Sequence, residues 1–323
     1  SDWVAFFAYV SFFPQLVAGP IERAANLLPQ FYEHKKFDYL KAKDGLRQIL
    51  WGLFKKVVIA DTAAIYVNEI FADHTMSGSE LLLGGLYFAF QIYGDFSGYS
   101  DIAIGTAKLL GFDLMRNFAY PYFSRDIAEF WRRWHISLST WFRDYLYIPL
   151  GGSKVGQTKA IRNAIIIFVV SGFWHGANWT FIVWGALNAL YFIPLMVFNY
   201  NRKNIEIVAH DRALPGLRDF IQILITFFLT ILAWIFFRAE NVGHAVAYIG
   251  GIFNESLFTV PDRIKYLPLI GLLVAWEWLQ RRKHHGLEID RLHVIIRWTI
   301  YLLMSLAVLY FSGEEQQFIY FQF

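Results

Sequence analysis

From Asn163 to Asn201 the chain carries no Asp, Glu, Lys or Arg. These roughly 39 residues would make about 58 Å of continuous helix, nearly twice the ~30 Å hydrocarbon core of a bilayer. One straight crossing is therefore excluded, and the stretch has to break or turn. The break is expected within Ser171-Gly172-Phe173-Trp174-His175-Gly176-Ala177-Asn178, where glycines and polar side chains interrupt an Ile/Phe/Val run. His175 sits at that break, far from either charged end.

The rest of the chain fits a membrane setting. It is 56% hydrophobic and only 17% charged, against roughly 25% charged in soluble domains. Spanning segments are expected at Phe220 to Phe237, Tyr266 to Leu279 and Val294 to Phe311, and a further span ends at Gly19-Pro20. Leu81 to Leu110 is apolar but holds Asp95 and Asp101, while Trp51 to Phe71 holds Lys55, Lys56 and Asp61. Charges there are costly against lipid, so both segments should turn them to a protein interior or the interface. The fold class is all-α: a polytopic helical protein with broken or re-entrant helices around a central tunnel, organised as one domain over residues 1–323. The first residue is Ser1 and no signal peptide is visible, so the numbering is expected to start inside a longer protein.

Basic residues set the orientation. Loops 199–218 and 281–293 hold eight Lys and Arg between them, and loop 238–265 holds three. The positive-inside rule puts the first pair in the cytoplasm and the tail Ser312 to Phe323 outside. Loop 151–163 carries Lys154, Lys159 and Arg162, so Asn163 to Asn201 is expected to go in and come back. Its midpoint lies near Ile182, which places His175 close to the turn, in the outer half of the membrane or near its middle.

Several chemistries are absent from the sequence. There is no cysteine, hence no disulfide framework, Cys-ligated metal or cysteine acyl-enzyme. HExxH, a P-loop and a dinucleotide-binding glycine fingerprint are missing, and Gly94 to Gly98 spells G-D-F-S-G rather than a nucleophile elbow. The net charge of +3 is scattered between apolar runs and reads as a topology signal, with no nucleic-acid partner expected.

An ionisable residue deep in a membrane segment is a functional-site candidate, although His175 could also serve as packing glue between helices. A second constellation is Phe130 to Asp144, F-W-R-R-W-H-I-S-L-S-T-W-F-R-D. On one helix Trp131, Trp134, His135 and Leu138 would share a face, with Arg132 and Arg133 turned partly away; taken alone, that pattern is better explained by an interfacial amphipathic helix with a Trp/Arg belt. A third is Tyr93-Gly94-Asp95-Phe96-Ser97-Gly98-Tyr99-Ser100-Asp101, either a membrane break lining a cavity or a surface turn.

The runs Trp131 to Gly152 and Ser171 to Gly185 resemble signatures of the membrane-bound O-acyltransferase family, specifically its bacterial alginate O-acetylation branch. Phe12 to Ile21, Asp95 to Asp101 and the ending Phe318-Ile319-Tyr320-Phe321-Gln322-Phe323 extend the resemblance over essentially the whole chain. Relatives carry further spans upstream of F-F-P-Q-L-V-A-G-P that this chain lacks, so part of the tunnel wall is expected to be missing.

The resemblance implies an O-acyltransferase of a bacterial inner or plasma membrane, multi-pass, acting in polysaccharide O-acetylation such as alginate biosynthesis. The family's catalytic histidine falls on His175 and its second motif histidine on His135. Neutral His175 would take the proton of the attacking hydroxyl, and Trp174, Asn178 or backbone N–H groups near Gly176 would receive the oxyanion. Asp95, Arg132 and Arg133 complete the expected substrate-binding set. No bound cofactor or metal is expected; the acyl donor is acetyl-CoA or an acyl carrier on the cytoplasmic side. On the outer side the partner is the polysaccharide itself or an extracytoplasmic acetyltransferase, with lipid around the protein. Transfer of D-alanine to teichoic acid is an alternative within the family, and a proton-coupled transporter or flippase is one from a different class.

Overall fold

The computed structural model describes residues 2–319 except 74, 314, 315 and 317; His74 and Tyr320 to Phe323 of the ending motif lie outside the described residues. Within them the fold is all-helical, with no strand. Helices α1 (Trp3–Val10), α2 (Ala24–Tyr32), α3 (Tyr39–Leu53), α4 (Thr62–Ala72) and α5 (Gly78–Leu109) form the first part. Short α6 (Ile127–Arg133) and α7 (Ile136–Phe142) follow. The last part comprises α8 (Gln157–His175), α9 (Trp179–Val197), α10 (Leu217–Arg238), α11 (Val242–Ile252), α12 (Leu267–Gln280) and α13 (Val294–Phe311). Three of these, α9, α10 and α13, are long and apolar enough to cross a membrane. The spans expected at Phe220 and Val294 correspond to α10 and α13, whereas the one expected at Tyr266 is α12, whose 14 residues leave it outside the three helices long enough to cross. None of the residues of α13 is buried in the protein, and its exposed Trp298, Leu302 and Leu309 are the surface expected of a helix solvated by lipid.

The centre is α5, which lies against α3, α4, α10 and α11. It runs unbroken through the glycine-rich stretch 93–101, which is neither a membrane break nor a surface turn. Those glycines serve packing instead: Gly98 faces Gly52 of α3 so closely that a β-carbon on either would press on the other's carbonyl oxygen. Such backbone contact is the usual way membrane helices gain dispersion without a solvent-driven force. The flanking charges turn inward, as their cost against lipid requires. Lys55 Nζ pairs with Asp101 at 2.6 Å and Lys56 Nζ with Asp95 at 2.7 Å, both from a π-helical stretch, Phe54–Asp61, that joins α3 to α4. The same Asp95 accepts the backbone N–H of Ile319 at 2.7 Å, which seats the fully buried Ile319 side chain in the main core.

The uncharged run 163–201 forms a hairpin. α8 ends at His175, the chain turns through Gly176, Ala177 and Asn178, and α9 returns antiparallel to it. Two glycines let the helices touch: a side chain at Gly172 would collide with the Phe181 carbonyl, and one at Gly185 with that of Phe168. The turn comes a few residues before the midpoint at Ile182, where Asn178 starts α9 as its N-cap by accepting the Thr180 N–H at 3.1 Å. Loops 151–156 and 198–216 therefore lie on one side of the hairpin, as the in-and-back reading expects.

Candidate active site

The segment expected to be one helix from Phe130 to Asp144 is two. α6 ends at Arg133, Trp134 is extended, and His135 adopts φ +43° before α7 begins. A left-handed backbone is uncommon for a residue other than glycine. Tertiary hydrogen bonds hold it there, since Ala119 N–H donates to the Arg133 carbonyl and Ile136 N–H to the Asn117 carbonyl, each at 2.9 Å. The loop 117–119 thus takes over backbone bonds that a continuous helix would have made. As a result Trp134 and His135 point differently from the shared face that helical spacing implies.

The kink delivers His135 to a cavity of about 970 Å³. This cavity extends along the whole of α8. Gln157 at its first turn and His175 at its last both line it, a separation of roughly 27 Å along the helix. At the end near loops 151–156 and 198–216 the lining includes Arg143, Ser153, Asn201 and Arg202. At the other end His175 is packed edge-on against aromatic rings, with centroids 5.2 Å from Trp184, 5.1 Å from Phe237 and 5.0 Å from Trp174. His135 meets Phe96 edge-on at 4.5 Å. Trp174 stands next to both histidines, 6.4 Å from His135. The site is therefore a long slot with a polar, cationic mouth and two imidazoles set among aromatic walls.

The structure distributes the other expected residues. Asn178 is the N-cap of α9, and its amide nitrogen donates to the Glu240 carbonyl at 2.9 Å; both ends of the side chain serve the fold, away from the cavity lining. Asp95 lies outside the cavity, in the ion pair that holds the tail. Trp174 touches His175 but is half exposed and does not line the cavity. Arg132 does line it, with its guanidinium donating to the carbonyls of Asn201 at 2.9 Å and Asn204 at 2.8 Å. Arg133 is turned to buried Glu129 at 2.8 Å and to the Glu206 carbonyl at 3.2 Å. Arg125 donates to the same carbonyl at 2.7 Å and pairs with the same glutamate. These three arginines clamp loop 201–206, which forms the mouth. Among the described residues no group of acidic, histidine or cysteine side chains could hold a metal ion.

One residue of the candidate site had no signal in the sequence. Asn117 is fully buried, lies in a loop 18 positions before His135, and contacts its ring at 3.1 Å. No local motif marks it.

The sequence profile of the membrane-bound O-acyltransferase family matches residues 1–238. A probable alginate O-acetylase of Pseudomonas putida is 34% identical over 99% of this chain and 69% of its own length. Its counterpart in Pseudomonas aeruginosa is 42% identical over 84% of this chain and 50% of its own length. A peptidoglycan O-acetyltransferase of Helicobacter pylori is 34% identical over all of this chain and 65% of its own length. The chain thus spans half to about two thirds of the relatives it matches.

Proposed function

Given that the chain belongs to the membrane-bound O-acyltransferase family, we propose that it transfers an acetyl group from a thioester donor toward a hydroxyl of an extracytoplasmic polysaccharide, with His175 as general base. The observation that carries this is the single cavity joining both motif histidines to a mouth lined by Arg143 and Arg202. A thioester carried on a phosphate-bearing arm is long, thin and anionic at one end. It fits a slot whose length is that of α8 and whose open end is cationic. If the basic loops are cytoplasmic, the donor enters from that side and its acyl carbon comes to rest near the two imidazoles.

The reaction then follows ordinary acyl transfer. Neutral His175 takes the proton as the acceptor oxygen attacks the thioester carbonyl. Collapse of the tetrahedral intermediate expels the thiolate, which recovers that proton from the imidazolium. Positioned proton transfer of this kind contributes about 10²–10⁴-fold. The aromatic rings of Trp184, Phe237 and Phe96 around the two imidazoles limit the water that can compete for the acyl group. The acceptor is a sugar hydroxyl or a hydroxyl of an extracytoplasmic acetyltransferase that completes the transfer.

The test is to incubate the purified protein in lipid nanodiscs with acetyl-labelled acetyl-CoA, and in parallel with a D-alanyl thioester, in the presence of polysaccharide hydroxyl acceptors. Thioester cleavage with label appearing in ester form supports the proposal. An intact thioester under conditions where a reconstituted vesicle moves substrate would instead show a transporter.

A further inference from the structure

We propose that Asn117 is a positioning residue that fixes the ring tautomer of His135, so that His135 shows the cavity an unprotonated Nε2 and acts there only as a hydrogen-bond acceptor. The inference rests on the reading that His135 belongs to the active site, but its first test does not depend on turnover.

The Asn117 side chain accepts from the backbone N–H of Ser137 at 3.2 Å and from Ser137 Oγ at 2.9 Å, and the same atom lies 3.1 Å from His135 Nδ1. A backbone N–H can only donate, so the atom it meets is the carbonyl oxygen and the amide is not flipped. Its nitrogen is used on the other side, donating to Ser100 Oγ at 3.0 Å. An oxygen acceptor facing Nδ1 requires Nδ1 to carry the proton. The Ser137 hydroxyl, 3.5 Å from Nδ1, does not compete, since its hydrogen is committed to Asn117 over a shorter distance. A neutral imidazole has one N–H, so Nε2 is bare.

The cluster is built for this. Asn117 and Ser137 are fully buried, and Ser100 and His135 are nearly so, where an unsatisfied polar atom is costly. The Asn117 backbone carbonyl also receives the Ile136 N–H at 2.9 Å. One residue therefore holds both the kink that aims His135 at the cavity and the nitrogen that must face away from it. His135 lines the cavity with its Nδ1 edge turned into the protein, which leaves the Nε2 edge toward the site. An acceptor there can orient an acceptor hydroxyl or a donor amide N–H, and cannot donate to a developing oxyanion. Oxyanion stabilisation falls to other groups, and the two histidines are not interchangeable.

The test is nitrogen NMR on the purified, histidine-labelled protein in lipid, with His135 assigned by difference from His135→Gln. The expected result is a protonated Nδ1 and a bare Nε2. Asn117→Ala should release the ring to the other tautomer or a mixture and lower kcat at least about tenfold with donor KM little changed, because a wrong histidine tautomer disables catalysis while leaving binding intact. Asn117→Asp, which keeps an oxygen at the same place, should retain the tautomer. Ser137→Ala should also retain it, since the backbone donor remains. A proton on Nε2 in the wild type overturns the proposal, as does a folded Asn117→Ala protein with an unchanged tautomer. If Asn117→Ala does not fold, the wild-type spectrum alone decides. A correct tautomer in a protein that cleaves no thioester would leave this inference standing and remove the acyl-transfer reading instead.

Discussion

Gly172→Ala examines the hairpin that carries the proposed base. The added methyl would lie closer to the Phe181 carbonyl oxygen than any non-bonded contact allows, and the obstacle is backbone, which cannot swing away. α8 and α9 must separate along the seam where Gly185 meets Phe168 in the same way. Overpacking of this kind costs about 1–3 kcal/mol. Gly271→Ala in α12 is the control, since nothing stands within 4 Å of the new methyl; there alanine should be neutral or stabilising by up to about 1 kcal/mol, the usual helical penalty of glycine. Thermal unfolding in detergent ranks the three proteins. Turnover adds a second readout, because His175 is on the turn of α8 just beyond Gly172 and a shift of order 1 Å at a reacting group can cost roughly 10²-fold. A Gly172→Ala protein as stable and as active as the Gly271→Ala control would refute the close-packed hairpin as the element that places His175.

Four further outcomes follow. Asp95→Ala removes one of the two carboxylates on Lys56, which keeps Asp61 at 2.7 Å, and takes away the acceptor of the buried Ile319 N–H, so it should cost about 1–3 kcal/mol and expose the tail to protease; an unchanged digestion pattern would contradict the tail anchor. Arg132→Ala should loosen loop 201–206 and raise donor KM with a smaller effect on kcat, and Arg132→Lys should recover only part of it because one ammonium cannot span two carbonyls; a pure kcat loss would place Arg132 in the chemistry instead. The Asp290 carboxylate is held low, first by its hydrogen bond to Arg47 and then by Lys43, so its contribution to stability exists above the ordinary aspartate value of about 4 and is lost as pH falls; the wild-type advantage over Asp290→Asn in an acid melting series should shrink below that pH, and an advantage that grew there would reverse the sign of the argument. Single cysteines are clean probes because the chain has none: Ser153→Cys and Asn201→Cys should both resist a membrane-impermeant maleimide in intact cells, and labelling of the first alone would exclude a hairpin with both feet in the cytoplasm.

The sequence makes the hairpin legible because the constraint there is length. An uncharged run too long for one crossing must turn, and glycines with an Asx cap mark where. The inward charges of α3 to α5 are legible for a similar reason, since lipid forbids the alternative. The kink at His135 is not. Residues 130–144 have good helical spacing, and what breaks the helix is a pair of backbone hydrogen bonds from loop 117–119, a tertiary effect with no local sign. The glycines of 93–101 misled for the opposite reason. They look like a break and are a close helix contact, which depends on Gly52 across the interface. Arg132, Arg133 and Asn178 were recognisable as polar residues near the chemistry, but whether such a side chain meets substrate or a carbonyl of its own chain depends on where loop 201–206 and Glu240 lie.

The central claim is that His175, at the inner end of the slot, performs proton transfer and does not merely pack. Single-turnover acetyl transfer from labelled acetyl-CoA by purified His175→Ala and wild-type protein, at matched folding judged by thermal unfolding, tests it directly. His175→Ala should lower the rate at least about 10²-fold with the donor still bound and the melting profile retained. A folded His175→Ala protein that keeps most of the wild-type rate would contradict it.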